Sequence, residues 1–198
     1  MTGDPTALPR PVRDLLEEWA LARDPDEAWG RSAVVLPVRT EDGAPAVLKV
    51  GDPGRGSGHE ALALQHWGGR GAVRLLRADP RRRAVLLERL TRRDLADEWD
   101  LHACEVVAGL WADLHVPAPP QLPTLPEHAG RWLEPLRALP RSAPLPHRMV
   151  EQCVSHLADL VADPASSGVL VHGDLHYGHE VPGLTAVDGN MRNRRSAT

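Results

Sequence analysis

The sequence has few of the features that mark secreted or membrane proteins. No apolar run approaches the length needed to cross a bilayer, and no basic segment followed by an apolar one is found at the N-terminus. Cysteine is scarce, with only Cys104 and Cys153, and both lie in segments with helical periodicity. We therefore expect a cytoplasmic protein without membrane contact, in which both cysteines are buried thiols and form no disulfide.

Lysine is almost absent, since the 198 residues include 22 Arg and a single Lys. That residue, Lys49, lies in the apolar segment 46–50. A lysine ammonium is a compact charge that reaches between two phosphoryl groups where a planar guanidinium does not fit. Lys49 is therefore a candidate phosphate ligand, and a surface lysine without function is the alternative. The net charge of -4 gives no reason to bind nucleic acid and does not repel a cationic small molecule.

The densest group of chemically active side chains follows the apolar segment 169–171, which predicts a short buried strand. The next eight residues include His172, Asp174, His176 and His179. Asp174 could accept a proton from a substrate hydroxyl, with His179 beside a metal-bound phosphate, because a base and a metal ligand five residues apart is kinase spacing. The same four side chains could instead hold a metal ion for hydrolysis. A third interpretation is that the histidines are only solvated or hydrogen-bonded to backbone.

The order of the predicted elements indicates an α+β fold. The apolar patterns predict, in order, a helix over 11–22, strands over 33–38 and 46–50 joined by the turn Asp42-Gly43, a helix over 59–67, and a hairpin of segments 73–77 and 84–90. From residue 91 the pattern changes to helices, the clearest of which carries an apolar stripe from Val150 to Val161. A strand over 184–187 ends in Asp188, and residues 189–198 are an unpatterned tail.

Glu60 lies in the first turn of the helix over 59–67 and could reach back to pair with Lys49. A carboxylate at this position is also favoured by the helix dipole alone, so a structural role fits equally well. Between the two residues the glycines match neither the Rossmann nor the P-loop spacing, and we expect a flexible linker.

Several separated motifs, in the right order, resemble those of the aminoglycoside phosphotransferases. They are Asp42-Gly43 through Val47-Leu48-Lys49, Gly71-Ala72-Val73-Arg74-Leu75-Leu76, Leu86-Leu87-Glu88-Arg89-Leu90, and Val171-His172-Gly173-Asp174-Leu175-His176-Tyr177-Gly178. The resemblance covers roughly residues 10–188 and is greatest to the streptomycin and hydroxyurea kinase branch. It implies a protein-kinase-like two-lobe fold, with a β-rich N-lobe over residues 1–90 and an incomplete helical C-lobe over residues 91–188.

The resemblance also implies an activity, the transfer of the γ-phosphoryl group of ATP to a hydroxyl of an aminoglycoside or related antibiotic. Lys49 would hold the ATP phosphates, and Glu60 would orient Lys49. Glu88, Arg89 and Leu90 would form the hinge against adenine.

The remaining implied roles fall on the loop after His172 and on the strand that follows it. Asp174 would be the catalytic base, and Asp188 would hold Mg²⁺ between the β- and γ-phosphates. His179 stands where the family has Asn, and since Mg²⁺ prefers oxygen ligands, Mn²⁺ is an alternative metal. The interval between Asp174 and Asp188 is shorter than in the family, which would misplace Asp188. The abrupt change of pattern at Gly189 suggests a truncated or frameshifted copy. An inactive remnant that binds nucleotide is therefore the second hypothesis.

Overall fold

A computed structural model describes residues 8–24, 28–29, 33–51, 58–90, 95 and 99–173. These residues belong to two compact units. The first contains the described residues up to Leu114 together with His172 and Gly173, and the second spans His115–Val171. Helices and a β-sheet occur together, so the predicted α+β class is confirmed. The lobe boundary at residue 90 stays a prediction, and the strand expected over 184–187 lies outside the described residues.

The first unit is built on an antiparallel sheet. Its elements are α1 (Arg10–Glu18), β1 (Ala22–Arg23), β2 (Ala28–Trp29), β3 (Ala33–Arg39), β4 (Pro45–Gly51), α2 (Glu60–Trp67), β5 (Leu75–Asp79), β6 (Ala84–Glu88) and α3 (Asp100–Leu114). The strand order is β1-β3-β4-β6-β5, and β2 also pairs with β3. Both predicted hairpins are present, β3 with β4 and β5 with β6. The strand that carries Lys49 is therefore central in the sheet.

The two faces of the sheet have different surroundings. One face packs against α1, and the shared core includes Val12, Leu15, Trp19, Leu36, Val38, Ala46, Leu48, Val50, Ala84 and Leu86. Both Leu15 and Leu48 are 0% exposed, and burying each such side chain stabilises the fold by about 1.5–3 kcal/mol. Because successive strand residues point to opposite faces, Lys49 lies on the face away from α1.

The second unit contains the helices α4 (Leu125–Arg137) and α5 (His147–Ala162) and a short 3-10 helix, Pro164–Ser166. Helix α4 begins with a capping box, in which the Thr124 hydroxyl accepts from the Glu127 backbone N–H and the Glu127 carboxylate accepts from the Thr124 backbone N–H. This satisfies two donors that have no partner within the helix. None of the helices over the described residues has the length and apolar character of a membrane span.

The buried strand predicted over 169–171 is wrong. This segment forms a single bridge, between Val169 and Pro117, and the Leu170 N–H donates to the Val116 carbonyl at 2.8 Å. Leu170 is buried, whereas Val169 and Val171 are 47% and 43% exposed. Side chains alternate along an extended segment, so a single covered face buries only the middle residue.

The expectation of buried thiols is also wrong, because Cys104 on α3 and Cys153 on α5 are both exposed. Neither forms a disulfide, as expected. The buried stripe of α3 consists of Ala103, Val106, Leu110 and Leu114. Cys104 follows Ala103 by one residue and is therefore turned about 100° away from that stripe. On α5 only Val150 of the apolar stripe is buried. Cys153, which lies three residues later in the same stripe, is exposed.

The turn between β5 and β6 depends on Asp79. Its Oδ1 accepts from the backbone N–H groups of Arg81 and Arg82 at 3.0 and 3.1 Å, and its Oδ2 lies 2.5 Å from Arg82 Nε. The Arg82 guanidinium also lies 2.6 Å from Glu18 at the end of α1. The hydrogen bond from Arg82 lowers the pKa of the Asp79 carboxyl.

We expect Asp79→Ala to lower the free energy of unfolding at neutral pH by roughly 1–2 kcal/mol, because it removes the turn acceptors and an ion pair. Since the folded-state pKa is lowered, the contribution of the charge is present above the ordinary value of 3.8 and lost as the pH falls through the folded value. The difference in Tm from the wild type should therefore shrink in acid.

Thermal unfolding between about pH 7 and about pH 3 measures this dependence. Asp14→Ala is the matched control, because the Asp14 side chain is 57% exposed and its ion pair with Arg10 is long, at 3.9 Å. It should change the Tm little at any pH. A difference between Asp79→Ala and the wild type that stays constant down to the lowest pH would contradict a role for the charge.

Candidate functional site

The central strand and α2 bring Lys49 and Glu60 together. Lys49 Nζ donates to Glu60 Oε1 at 2.6 Å. The two side chains are 24% and 39% exposed, so the pair lies at the surface of the first unit rather than in its core. The ion pair that the sequence suggested is present, and the functional roles of the two residues remain predictions.

The local sequence explains where each partner lies. The sheet register places Lys49 between Val35 of β3 and Val85 of β6, which are 2% and 3% exposed. A lysine in such surroundings lays its apolar stem along neighbouring side chains and extends its ammonium outward. Glu60 is the first residue of α2, where the positive end of the helix dipole favours a carboxylate. The two charges therefore meet at the surface of the sheet.

The other end of α2 carries Trp67, which is 5% exposed. Its indole Nε1–H donates to the carbonyl of Leu114, the last residue of α3, at 2.9 Å. Its ring lies 5.9 Å from the imidazole of His172, with an angle of 30° between the planes. No motif predicted a role for Trp67, although its spacing of seven residues from Glu60 places both on one face of the helix.

The predicted hinge residues have partners that the sequence did not reveal. Glu88 Oε1 accepts from the Arg74 backbone N–H at 2.7 Å, and its Oε2 lies 3.7 Å from Arg74 Nε. Arg89 Nη1 lies 2.7 Å from Asp24 Oδ2, with side chains 22% and 11% exposed. Leu90 is half-buried. Both charged side chains thus connect the end of β6 to neighbouring segments. Contact with adenine remains a prediction.

The other predicted site residues, Asp174, His176, His179 and Asp188, lie outside the described residues. Of the four side chains in the alternative hydrolytic cluster, only His172 is described. Within the part of the chain that the structure describes, no group of three or more His, Cys, Asp or Glu side chains could hold a metal ion. The catalytic base and the metal ligands therefore stay predictions.

The match of this chain to a known protein family includes residues after 173, which the structure does not describe. Residues 18–183 match the family described as aminoglycoside/hydroxyurea antibiotic resistance kinase. The chain belongs to this antibiotic resistance kinase family. The resemblance inferred from separated motifs is thereby confirmed.

Three curated relatives of this kinase family member match most of its length. Identity is 43% to a streptomycin 6-kinase of Streptomyces glaucescens, covering 87% of this chain and 57% of the relative. It is 38% to a streptomycin 6-kinase of Streptomyces griseus, covering 86% and 56%. It is 40% to a hydroxyurea phosphotransferase of Kitasatospora aureofaciens, covering 89% and 53%. The chain thus spans little more than half the length of the curated relatives it matches.

For this family member we expect the Lys49–Glu60 pair to contribute little to stability. Glu60→Gln should lower the free energy of unfolding by less than about 1 kcal/mol, because half-exposed ion pairs contribute roughly that or less. Urea unfolding measures the difference. Glu134→Gln is the matched control, since Glu134 also lies 2.7 Å from a cation, Arg137, and is 80% exposed. A loss above about 2 kcal/mol would instead assign Glu60 a structural role.

Proposed function

We propose that this chain is an ATP-dependent phosphotransferase that acts on a hydroxyl of an aminoglycoside or related antibiotic. The observation that carries the proposal is the Lys49–Glu60 ion pair on the central strand and α2 of a chain that belongs to a kinase family. The names of the relatives support streptomycin or hydroxyurea as acceptors.

Lys49 would bind the phosphates of ATP, and Glu60 would hold it in position. An ammonium has three N–H donors. Glu60 accepts from one, which leaves two for phosphate oxygens. The carboxylate restricts the rotation of a flexible side chain, so less conformational entropy is lost when ATP binds. The pair would thus orient the charge before the nucleotide arrives.

We propose that adenine lies against the backbone of residues 88–90 in a two-lobe, kinase-like arrangement. The side chains of Glu88 and Arg89 contact Arg74 and Asp24, so recognition there would fall to peptide groups. Since ATP is the phosphoryl donor, we propose the cytoplasm as the compartment.

Asp174 would accept the proton of the acceptor hydroxyl as that oxygen attacks the γ-phosphorus, and the bond from that phosphorus to the β–γ bridging oxygen would break to release ADP. Its kinase-like spacing from His179 supports this role. Asp188 offers carboxylate oxygens, which suit Mg²⁺, whereas His179 offers an imidazole, which suits Mn²⁺ better. These two residues would hold a divalent ion, which neutralises phosphate charge when bound.

ATP turnover by the purified chain with streptomycin, and in parallel with hydroxyurea, tests the proposal. Asp174→Ala should lower kcat by about a hundredfold or more, because it removes the general base, and should leave ATP affinity nearly unchanged. Lys49→Ala should raise the KM for ATP by about tenfold through loss of a charged phosphate contact. Arg148→Ala, which removes an exposed cation of α5, is the control and should leave both constants unchanged.

Two results would contradict the proposal, one by favouring the inactive remnant and the other by overturning the role of Asp174. Folded wild-type protein that binds ATP but shows no acceptor-dependent turnover in Mg²⁺ or in Mn²⁺ would favour the inactive nucleotide-binding remnant. Turnover that is unchanged in Asp174→Ala would overturn the assignment of the base.

The metal preference gives a separate prediction. His179→Asn restores an oxygen ligand, so the ratio of turnover in Mg²⁺ to turnover in Mn²⁺ should rise by about tenfold. Initial rates at saturating ATP in each metal measure the ratio. His156→Asn, which changes an exposed histidine of α5, should leave the ratio unchanged. The same ratio in His179→Asn as in the wild type would exclude His179 as a metal ligand.

A further inference from the structure

One face of α2 connects the Lys49–Glu60 pair to His172. Glu60, Leu64 and Trp67 follow the spacing i, i+4, i+7, which places them along one stripe of a helix. Leu64 and Trp67 are 6% and 5% exposed, so the part of this stripe after Glu60 faces the interior of the first unit. Seven residues of helix span about 10 Å. The helix therefore fixes a short distance between Glu60, which contacts Lys49, and Trp67, which contacts Leu114 and His172.

Trp67 makes two contacts of different kinds. Its N–H donates to the Leu114 carbonyl, one of the terminal helix carbonyls that have no donor within their own helix. Its ring lies beside His172, where two aromatic groups 5.9 Å apart are within the range of favourable tilted pairs. A single buried side chain thus joins the ends of α2 and α3 to the first residue of the histidine-rich segment, residues 172–179.

Gly71 shows how closely these segments approach. Its φ is +67°, and a Cβ built there would lie 3.0 Å from Asp113 Cβ and 3.2 Å from Leu114 Cγ. Both the left-handed backbone and the lack of space favour glycine. The loop after α2 therefore packs directly on the last turn of α3, next to the carbonyl that Trp67 binds.

We infer that Trp67 is a positioning residue that sets His172, the start of the histidine-rich segment, relative to the Lys49–Glu60 pair. The inference rests on the proposed function, because it assigns Trp67 a role in the same phosphoryl transfer. Asp174 follows His172 by two residues, so their Cα atoms are at most about 7 Å apart. A shift of His172 would therefore displace the proposed base, and misplacement by about 1 Å costs up to a hundredfold in rate.

Two substitutions of Trp67 separate positioning from mere packing. Trp67→Leu removes both contacts and should lower kcat about tenfold or more with little change in the KM for ATP. Trp67→Phe keeps an aromatic ring beside His172 and should retain kcat within about threefold of the wild type. Trp132→Leu is the control, because Trp132 is 58% exposed on α4 of the second unit, and it should leave kcat unchanged.

The kinetic comparison is made at a temperature at which circular dichroism shows all variants folded. A merely structural role would lower the Tm of Trp67→Leu without changing kcat per folded molecule. That result would overturn the inference, as would equal loss of kcat in Trp67→Phe and Trp67→Leu.

Fluorine NMR of protein labelled with fluorotryptophan supplies a readout that does not depend on turnover. The signal of Trp67 among the six tryptophans is the one lost in Trp67→Leu. His172→Leu should shift this signal through the ring contact, and Glu60→Gln should shift it through α2. Trp132→Leu should leave it in place.

The two readouts distinguish failure of the inference from failure of the proposed function. If the wild type shows no turnover with either acceptor, the proposed function fails, and fluorine NMR decides the connection through Trp67. A Trp67 signal that is unmoved in both Glu60→Gln and His172→Leu would overturn the inference whether or not the chain is active.

Discussion

The first unit is organised around an ammonium group that extends from the central strand of an antiparallel sheet to its surface. Lys49 lies between two buried valines, and a charge at such a position is expensive unless it is paired or reaches water. The first residue of α2 supplies the pairing carboxylate. This contact anchors the N-terminal end of α2 beside β4, and Trp67 anchors the other end to α3. The face opposite α1 thus carries the lysine together with buried side chains such as Val47 and Leu87.

Patterns of local origin predicted most of the first unit. The hairpins follow from apolar segments on either side of turn sequences, and the buried stripe of α3 follows from helical spacing. Burial at residues 169–171 was predicted wrongly, because periodicity shows which residues share a face but not whether a neighbour covers that face. The exposed cysteines have the same explanation.

The contacts at the candidate site show a second limit of sequence reasoning. The pair of Lys49 with Glu60 is separated by 11 residues and could be anticipated from one strand and one helix. Arg89 with Asp24 spans 65 residues, and Trp67 with Leu114 spans 47. Such partners are set by the packing of distant segments, which no local pattern encodes. Asp174, His179 and Asp188 came from kinase spacing and family resemblance, and their geometry stays a prediction.

The scarcity of lysine has a practical consequence for this chain. Since Lys49 is the single lysine, reagents that acylate amines modify one side chain, apart from the chain's α-amino group. Its ammonium is partly exposed and held by Glu60, so it is accessible while remaining fixed in place. The extent of acylation, followed by intact mass, therefore reports the occupancy of this one position. A titration of protection by any ligand would give its affinity there without an introduced label.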